Sequence, residues 1–239
     1  MSSPERAPIS EAAAPVPSPV PSAAPAPDTK ETPRPLPSRV LLVRHGESTW
    51  NAERRVQGQH DPPLSEFGRR QAGQLAARLA GRPLVALYSS DLGRAWQTAE
   101  PIAEAVGLEP IPLQGLREIA LGDWEGKTRE ELAREFPEEW EAWSQRPSWD
   151  LVPSGEGAGP FERRVRETLA WVLSRHTVGD VLCVTHGGVI QVALGSVVAP
   201  RRGSDGLFPF VIENCSLTVL QRSSSRTVVT AVNDTCHLS

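Results

Sequence analysis

Apolar residues take on a regular pattern only after residue 37. Val40 to Val43 is a short, wholly apolar, β-favouring run, as expected of a strand covered on both faces, and it runs straight into Arg44, His45 and Gly46. Leu64 to Gly81 places Phe67, Ala72, Leu75, Ala76 and Leu79 at helical spacing, with Ser65 as N-cap and Gly81 as the stop. Leu84 to Tyr88 predicts a second strand, after which Ser89, Ser90 and Asp91 cap a helix from Leu92 to Val106 with Arg94 in its first turn. Residues 130–149 read as a helix that breaks, with Trp140, Trp143 and Trp149 grouped ahead of the Pro- and Gly-rich stretch from Pro153 to Pro160; this looks like an insertion rather than core. Phe161 to His176 predicts a third helix through Val165, Leu169, Val172 and Leu173, and a second buried run, Val181 to Val184, ends in Thr185, His186, Gly187 and Gly188. Cys215 to Leu220 and Thr227 to Val232 predict a hairpin with a Ser-rich turn. Strands alternating with helices give a layered α/β domain with a mainly parallel central sheet.

Residues 1–37 hold eleven of the 23 prolines among Ala, Ser and Val, with no apolar period, so they lack the surface to offset the entropy of ordering. The expectation is a disordered tail over 1–37 and a single folded domain over 38–239, with a helical insertion near the active site. The net charge of −4 does not read as that of a nucleic-acid or anionic-membrane binder, whose footprint is a net basic face, so neither is an expected partner and any bound anion must be held locally. Cys183, Cys215 and Cys236 make no CxxC pair and no even framework, which points away from zinc and from an extracellular disulfide scaffold and towards a cytoplasmic setting. No apolar run reaches the length of a membrane span. Oligomeric state has no signature in the sequence.

The chemistry sits at the strand ends. In open α/β sheets the ligand crevice lies at the carboxyl ends of the strands, so the His-Gly pairs at His45 and His186 should reach one mouth, with Arg94 beside them. A helix start after each strand adds oriented N–H groups. Two imidazoles and two guanidiniums so placed describe a phosphate cradle, the planar arginine fork being suited to paired hydrogen bonds with phosphate oxygens.

These residues resemble the histidine phosphatase superfamily, the phosphoglycerate mutase-like enzymes, over nearly the whole domain. Arg44 to Asn51 is similar to its Arg-His-Gly-x-Ser/Thr-x-x-Asn signature; Gln57 and Gly58 resemble its Gln-Gly turn, and Leu64 to Gly68 its Leu-Ser/Thr-x-x-Gly helix start. Ser90 to Ala99 is similar to its second phosphate-binding segment, Leu116 to Ile119 with Gly122 to Gly126 to the acid-bearing segment of its phosphatase branch, and Thr185 to Gly188 and Asn233 to Leu238 to its closing motifs. One departure stands out: Gly155, Glu156 and Gly157 occupy the place where the family often has Gly-Glu-Ser.

The resemblance implies a three-layer fold and a phosphomonoester hydrolase that needs no metal or other cofactor and acts on a small phosphorylated metabolite. It implies His45 as the nucleophile that forms a phosphohistidine, Glu118 as general acid and then base, and His186 as a further catalytic group. Arg44, Asn51, Arg94 and Gly187 would bind the phosphoryl group, and Ser48, Gln57 and Gly58 would contact substrate. The alternatives are a cofactor-dependent phosphoglycerate mutase and, behind it, a non-catalytic phospho-ligand binder. Outside the resemblance, the tryptophans are expected to pack more than to form a lid, Arg54 and Arg55 to belong to a solvated loop, Glu118 alone to read as a helix or turn cap, and His237 to pack; His60 and His176 carry no assignment.

Overall fold

In the computed structural model the described residues are 38–198, 210–222 and 226–239. The expected tail over 1–37 and the Ser-rich turn at 223–225 lie outside them. The chain forms β1 (Arg39–Arg44), α1 (Thr49–Ala52), α2 (Glu66–Leu79), β2 (Leu84–Ser89), α3 (Gly93–Val106), β3 (Pro110–Pro112), α4 (Arg129–Glu135), α5 (Pro137–Gln145), α6 (Ala158–Arg175), β4 (Asp180–Thr185), α7 (Gly187–Val198), β5 (Leu217–Arg222) and β6 (Thr227–Asp234). The strands make one sheet in the order β3-β2-β4-β1-β5-β6. β1, β2, β3 and β4 run parallel, whereas β5 and β6 add an antiparallel edge.

Because side chains alternate along a strand, an apolar run buries both faces of the sheet. Val40 and Leu42 of β1, with Val181 and Cys183 of β4, pack on Phe161, Val165, Leu169 and Val172 of α6 and on Val189 and Ile190 of α7. Leu41 and Val43, with Leu182 and Val184, face Ala72, Leu75, Ala76 and Leu79 of α2 and Ala95, Ala99 and Ile102 of α3. Helices thus cover both faces, giving the three-layer arrangement. β1 and β4 are parallel neighbours with Arg44 opposite Thr185, so His45 and His186 leave the sheet side by side.

Several local expectations change. Phe67 is exposed, because the buried stripe of α2 runs through Gly68, Gln71, Ala72, Leu75, Ala76 and Leu79. β1 is followed by the single turn α1, not by a full helix; Ser48 and Asn51 close it in a reciprocal capping box. α3 starts one residue late, with Leu92 at the N-cap position and no side-chain cap of its own. Its first N–H groups, on Gly93 and Arg94, are instead taken by the Asp61 carboxylate, 32 and 33 residues back in the chain. The tryptophan segment is less separate from the core than its composition suggests: Leu132 is fully buried, and the indoles of Trp140 and Trp143 lean edge-on against buried Trp124. Apolar indole area needs cover wherever it falls in the chain, and these rings pack against the core on the α6 face of the sheet.

Candidate active site

His45 is 3% exposed at the end of β1. Its backbone N–H donates to Thr185 O at 2.9 Å, and its Nδ1 lies 2.7 Å from Gly46 O. A carbonyl can only accept, so Nδ1 carries the proton and Nε2 presents its lone pair. Gly46 is itself held, its N–H donating to Thr98 Oγ1 at 3.0 Å. Burial, then the charges of Arg94 and Arg44, hold the His45 imidazole well below the usual histidine range, so it is neutral at neutral pH.

Arg94 is 1% exposed. Its Nε donates to His45 Nε2 at 3.3 Å, while its two terminal nitrogens donate to Gly58 O and His60 O, each at 2.7 Å. Arg44 donates to Ile212 O at 2.6 Å, and its Nε is buried with no hydrogen-bond partner among the described residues. Burial lowers the pKa of both guanidiniums, partly offset by Glu118. The His186 ring stands 5.1 Å from that of His45 and is fully buried. Its Nε2 meets Ser90 Oγ at 2.9 Å, and its Nδ1, like Arg44 Nε, has no partner among the described residues. Ser90 Oγ already accepts from Leu92 N–H, which favours its own hydroxyl proton lying towards His186 Nε2 and places the imidazole proton on Nδ1. Unmatched buried donors are costly; an anionic oxygen entering beside His45 would satisfy both. Burial and the Arg94 charge hold His186 neutral as well.

Glu118 accepts from Ile119 N–H and, through its other oxygen, from Gly188 N–H in the first turn of α7, both at 3.0 Å. It is therefore a helix cap, as its sequence context alone suggests, and it also lines the cleft beside His45. Only glycine allows this approach, since a Cβ at position 188 would lie 2.3 Å from Glu118 Oε1. Asn51 turns its Oδ1 to Ser48 and Asn214, leaving its amide nitrogen as the donor. A cavity of about 1390 Å³ runs from Arg44, His45, Asn51, Gln57, Gly58, Arg94 and Glu118 outwards to Trp140, Trp143 and Trp149.

Ser48, Gly187 and His186 stand behind the residues that line it, the His186 ring directly beside that of His45 at 5.1 Å between centres. Ser48 is fully buried and spends its hydroxyl on Gln57 and Asn51, so the expected substrate contact is corrected to a structural cap. Gly187 opens α7 against Arg44, where a Cβ would sit 3.8 Å from Nε. Arg54 and Arg55 line the outer cavity, and Arg55 is paired to Glu53 and Glu131. His237 bonds Cys215 O, consistent with packing.

Sequence reasoning missed Asp61, Asn214 and Arg164, and it gave Ser90 no contact with His186 and Glu156 none with Arg164. Glu156 pairs with Arg164 at 2.7 Å, while Gly157, with φ +78°, leaves the first turn of α6 to be capped by Asp150, which accepts from Ala158 N–H at 2.8 Å. The departure at residue 157 is thus compensated by a cap from outside the motif. The only local signal for Arg164 is an arginine bordering the apolar stripe of Phe161 and Val165.

Known proteins resemble this chain in sequence and in fold. The sequence model described as "Histidine phosphatase superfamily (branch 1)" matches residues 40–235. The chain is 36% identical over 202 residues to Phosphoserine phosphatase 1 of Hydrogenobacter thermophilus, covering 84% of this chain and 94% of that one. It is 39% identical over 157 residues to Phosphoglycerate mutase-like protein 4 of Arabidopsis thaliana, covering 64% and 68%. Among solved structures, Bacillus stearothermophilus YhfR superposes with a TM-score of 0.77 at 34% identity, covering 84% of this chain and all of that one. The chain belongs to the histidine phosphatase superfamily, branch 1, and is a histidine-type phosphatase with a phosphoglycerate mutase-like fold.

Proposed function

We propose that this enzyme hydrolyses a small phosphorylated metabolite in the cytoplasm through a phosphohistidine on His45, with no metal ion. The observation that carries the reading is the fixed tautomer of His45: its Nδ1 proton is held by Gly46 O, and its neutral ring presents Nε2 beside Arg94. In the first step the Nε2 lone pair attacks phosphorus, the bond from phosphorus to the ester oxygen breaks, and its electron pair leaves on that oxygen, which takes a proton from Glu118. In the second, water attacks the phosphohistidine as the Glu118 carboxylate accepts its proton; the N–P bond breaks and phosphate departs. Arg44, Arg94, His186 and Asn51 bear the charge on the equatorial oxygens throughout. Since imidazole is the nucleophile, no metal-bound water is called for.

The small-substrate class is supported by the phosphoserine phosphatase relative, whose name describes hydrolysis of a phosphorylated amino acid. The mutase alternative is not favoured: a mutase must shield its phosphohistidine from water, and the cavity beside His45 is wide. The test is to supply 3-phosphoglycerate with a bisphosphoglycerate primer and measure phosphate and 2-phosphoglycerate together, alongside a panel of phosphomonoesters. Net phosphate release is expected; primer-dependent isomerisation outrunning it would establish the mutase.

A further inference from the structure

Arg117 to Leu121, the stretch that carries Glu118, lies between two 3-10 turns, Gln114–Leu116 and Gly122–Trp124, outside helix and strand. A general acid must nonetheless be held to a fraction of an ångström. The backbone here is held by side chains. All five N–H donors of Arg164 are used: Nε donates to Glu156 Oε1 at 2.9 Å, one terminal nitrogen to Gly115 O and Arg117 O at 3.1 and 2.9 Å, and the other to Glu118 O and Glu156 Oε2 at 3.2 and 2.7 Å. Glu156 closes the bracket, accepting from Ala120 N–H at 3.3 Å and donating its own N–H to Ala120 O at 2.9 Å. The guanidinium lies over the Phe161 ring at 5.1 Å, on a helix face that is itself locked into the core.

We infer that Arg164 is a positioning residue for the reaction: with Glu156 it sets the backbone of the Glu118 segment and so places the acid against the leaving oxygen. The inference rests on the reading of Glu118 as general acid. An ion pair that still reaches solvent adds modest stability, so the importance of this pair lies in geometry. Lysine keeps the charge but has a single nitrogen and cannot reach three carbonyls and a carboxylate in the same plane.

Arg164→Lys, Glu118→Gln and the double variant would be compared in single-turnover phosphorylation of His45 by an alkyl phosphate and by p-nitrophenyl phosphate, with thermal unfolding recorded for each. The alkyl ester needs a proton on its departing oxygen and the nitrophenyl ester does not. Arg164→Lys should slow the alkyl reaction by about 10- to 100-fold, the scale of a misplacement near 1 Å, leave the nitrophenol burst unchanged, and add nothing in the Glu118→Gln background. Equal losses with both esters, or a full additional loss in the double variant, would reduce Arg164 to a support for the fold and overturn the inference. If Glu118→Gln shows the leaving-group dependence and Arg164→Lys does not, this inference alone fails; if Glu118→Gln does not show it, the acid assignment fails and takes the inference with it. Should Arg164→Lys not fold, Glu156→Gln, which loosens the fork without removing it, must show the same dependence or the inference falls.

Discussion

Gly188→Ala separates the folding and catalytic demands of the site. A Cβ at this position would stand 2.3 Å from Glu118 Oε1, 3.1 Å from its Cδ and 3.3 Å from Phe161 Cζ, whereas ordinary contact begins near 3.4 Å. Phe161 can yield by a few tenths of an ångström; the carboxylate has to move further, and in moving it gives up the Gly188 N–H as a donor. Glu118 must therefore withdraw by about 1 Å, which corresponds to roughly a 100-fold loss in a positioned reaction. The fold is little changed, because the preference for alanine over glycine in a helix, up to about 1 kcal/mol, offsets the loss of the Glu118 cap. The expected variant is as stable as the parent or slightly more so, releases phosphate slowly from alkyl phosphates, and still gives a full nitrophenol burst from p-nitrophenyl phosphate. Turnover of alkyl phosphates within a few-fold of the parent, with the fold intact, would show that Glu118 does not act from this position.

Three further outcomes follow from the same geometry. His45 and His186 are held neutral well below the ordinary value of 6.5, so below that pH the unfolded chain binds protons that the folded chain refuses. Stability is full above 6.5 and should fall as the pH drops towards the folded values, by up to about 1.4 kcal/mol per pH unit for each histidine; urea unfolding of the parent and of His186→Gln at a series of pH values reads this, and equal slopes would contradict it. Ser90→Ala removes the group that sets the His186 tautomer and should weaken inhibition by inorganic phosphate by about 5- to 150-fold, the range for an unmatched buried polar group, whereas Ser90→Thr should retain most of the affinity; an unchanged inhibition constant in Ser90→Ala would remove Ser90 from the account. Turnover should survive a strong chelator, and loss restored by added zinc or magnesium would overturn the metal-free mechanism.

The sheet and its flanking helices could be read from the chain because strands buried on both faces appear as unbroken apolar runs and amphipathic helices as a 3.6-residue period. The same logic brought His45 and His186 together, since the register of Arg44 with Thr185 follows from two parallel strands ending alike. Glu118 is visible only through its motif, because Gly188 and Arg164, which help to hold it, are remote in sequence. Asp61 capping α3, Ser90 against His186 and Arg164 under the acid segment each join residues more than thirty apart, and no local period encodes such contacts. Ser48 misled for a related reason: its position inside the signature invites a substrate contact, whereas its hydroxyl is consumed in capping α1. Phe67 shows that an apolar residue at helical spacing need not face the core when the stripe is already filled by Ala72, Leu75 and Leu79.

The central claim is that His45 carries the phosphoryl group between substrate and water. Rapid quenching of the enzyme during turnover of a ³²P-labelled phosphomonoester tests it most directly. An acid-labile, alkali-stable label is expected on the protein, one that maps to His45, is absent from His45→Ala and builds up in Glu118→Gln when a nitrophenyl ester is the donor. Label that persists in His45→Ala, or turnover by that variant with no labelled protein at all, would contradict it.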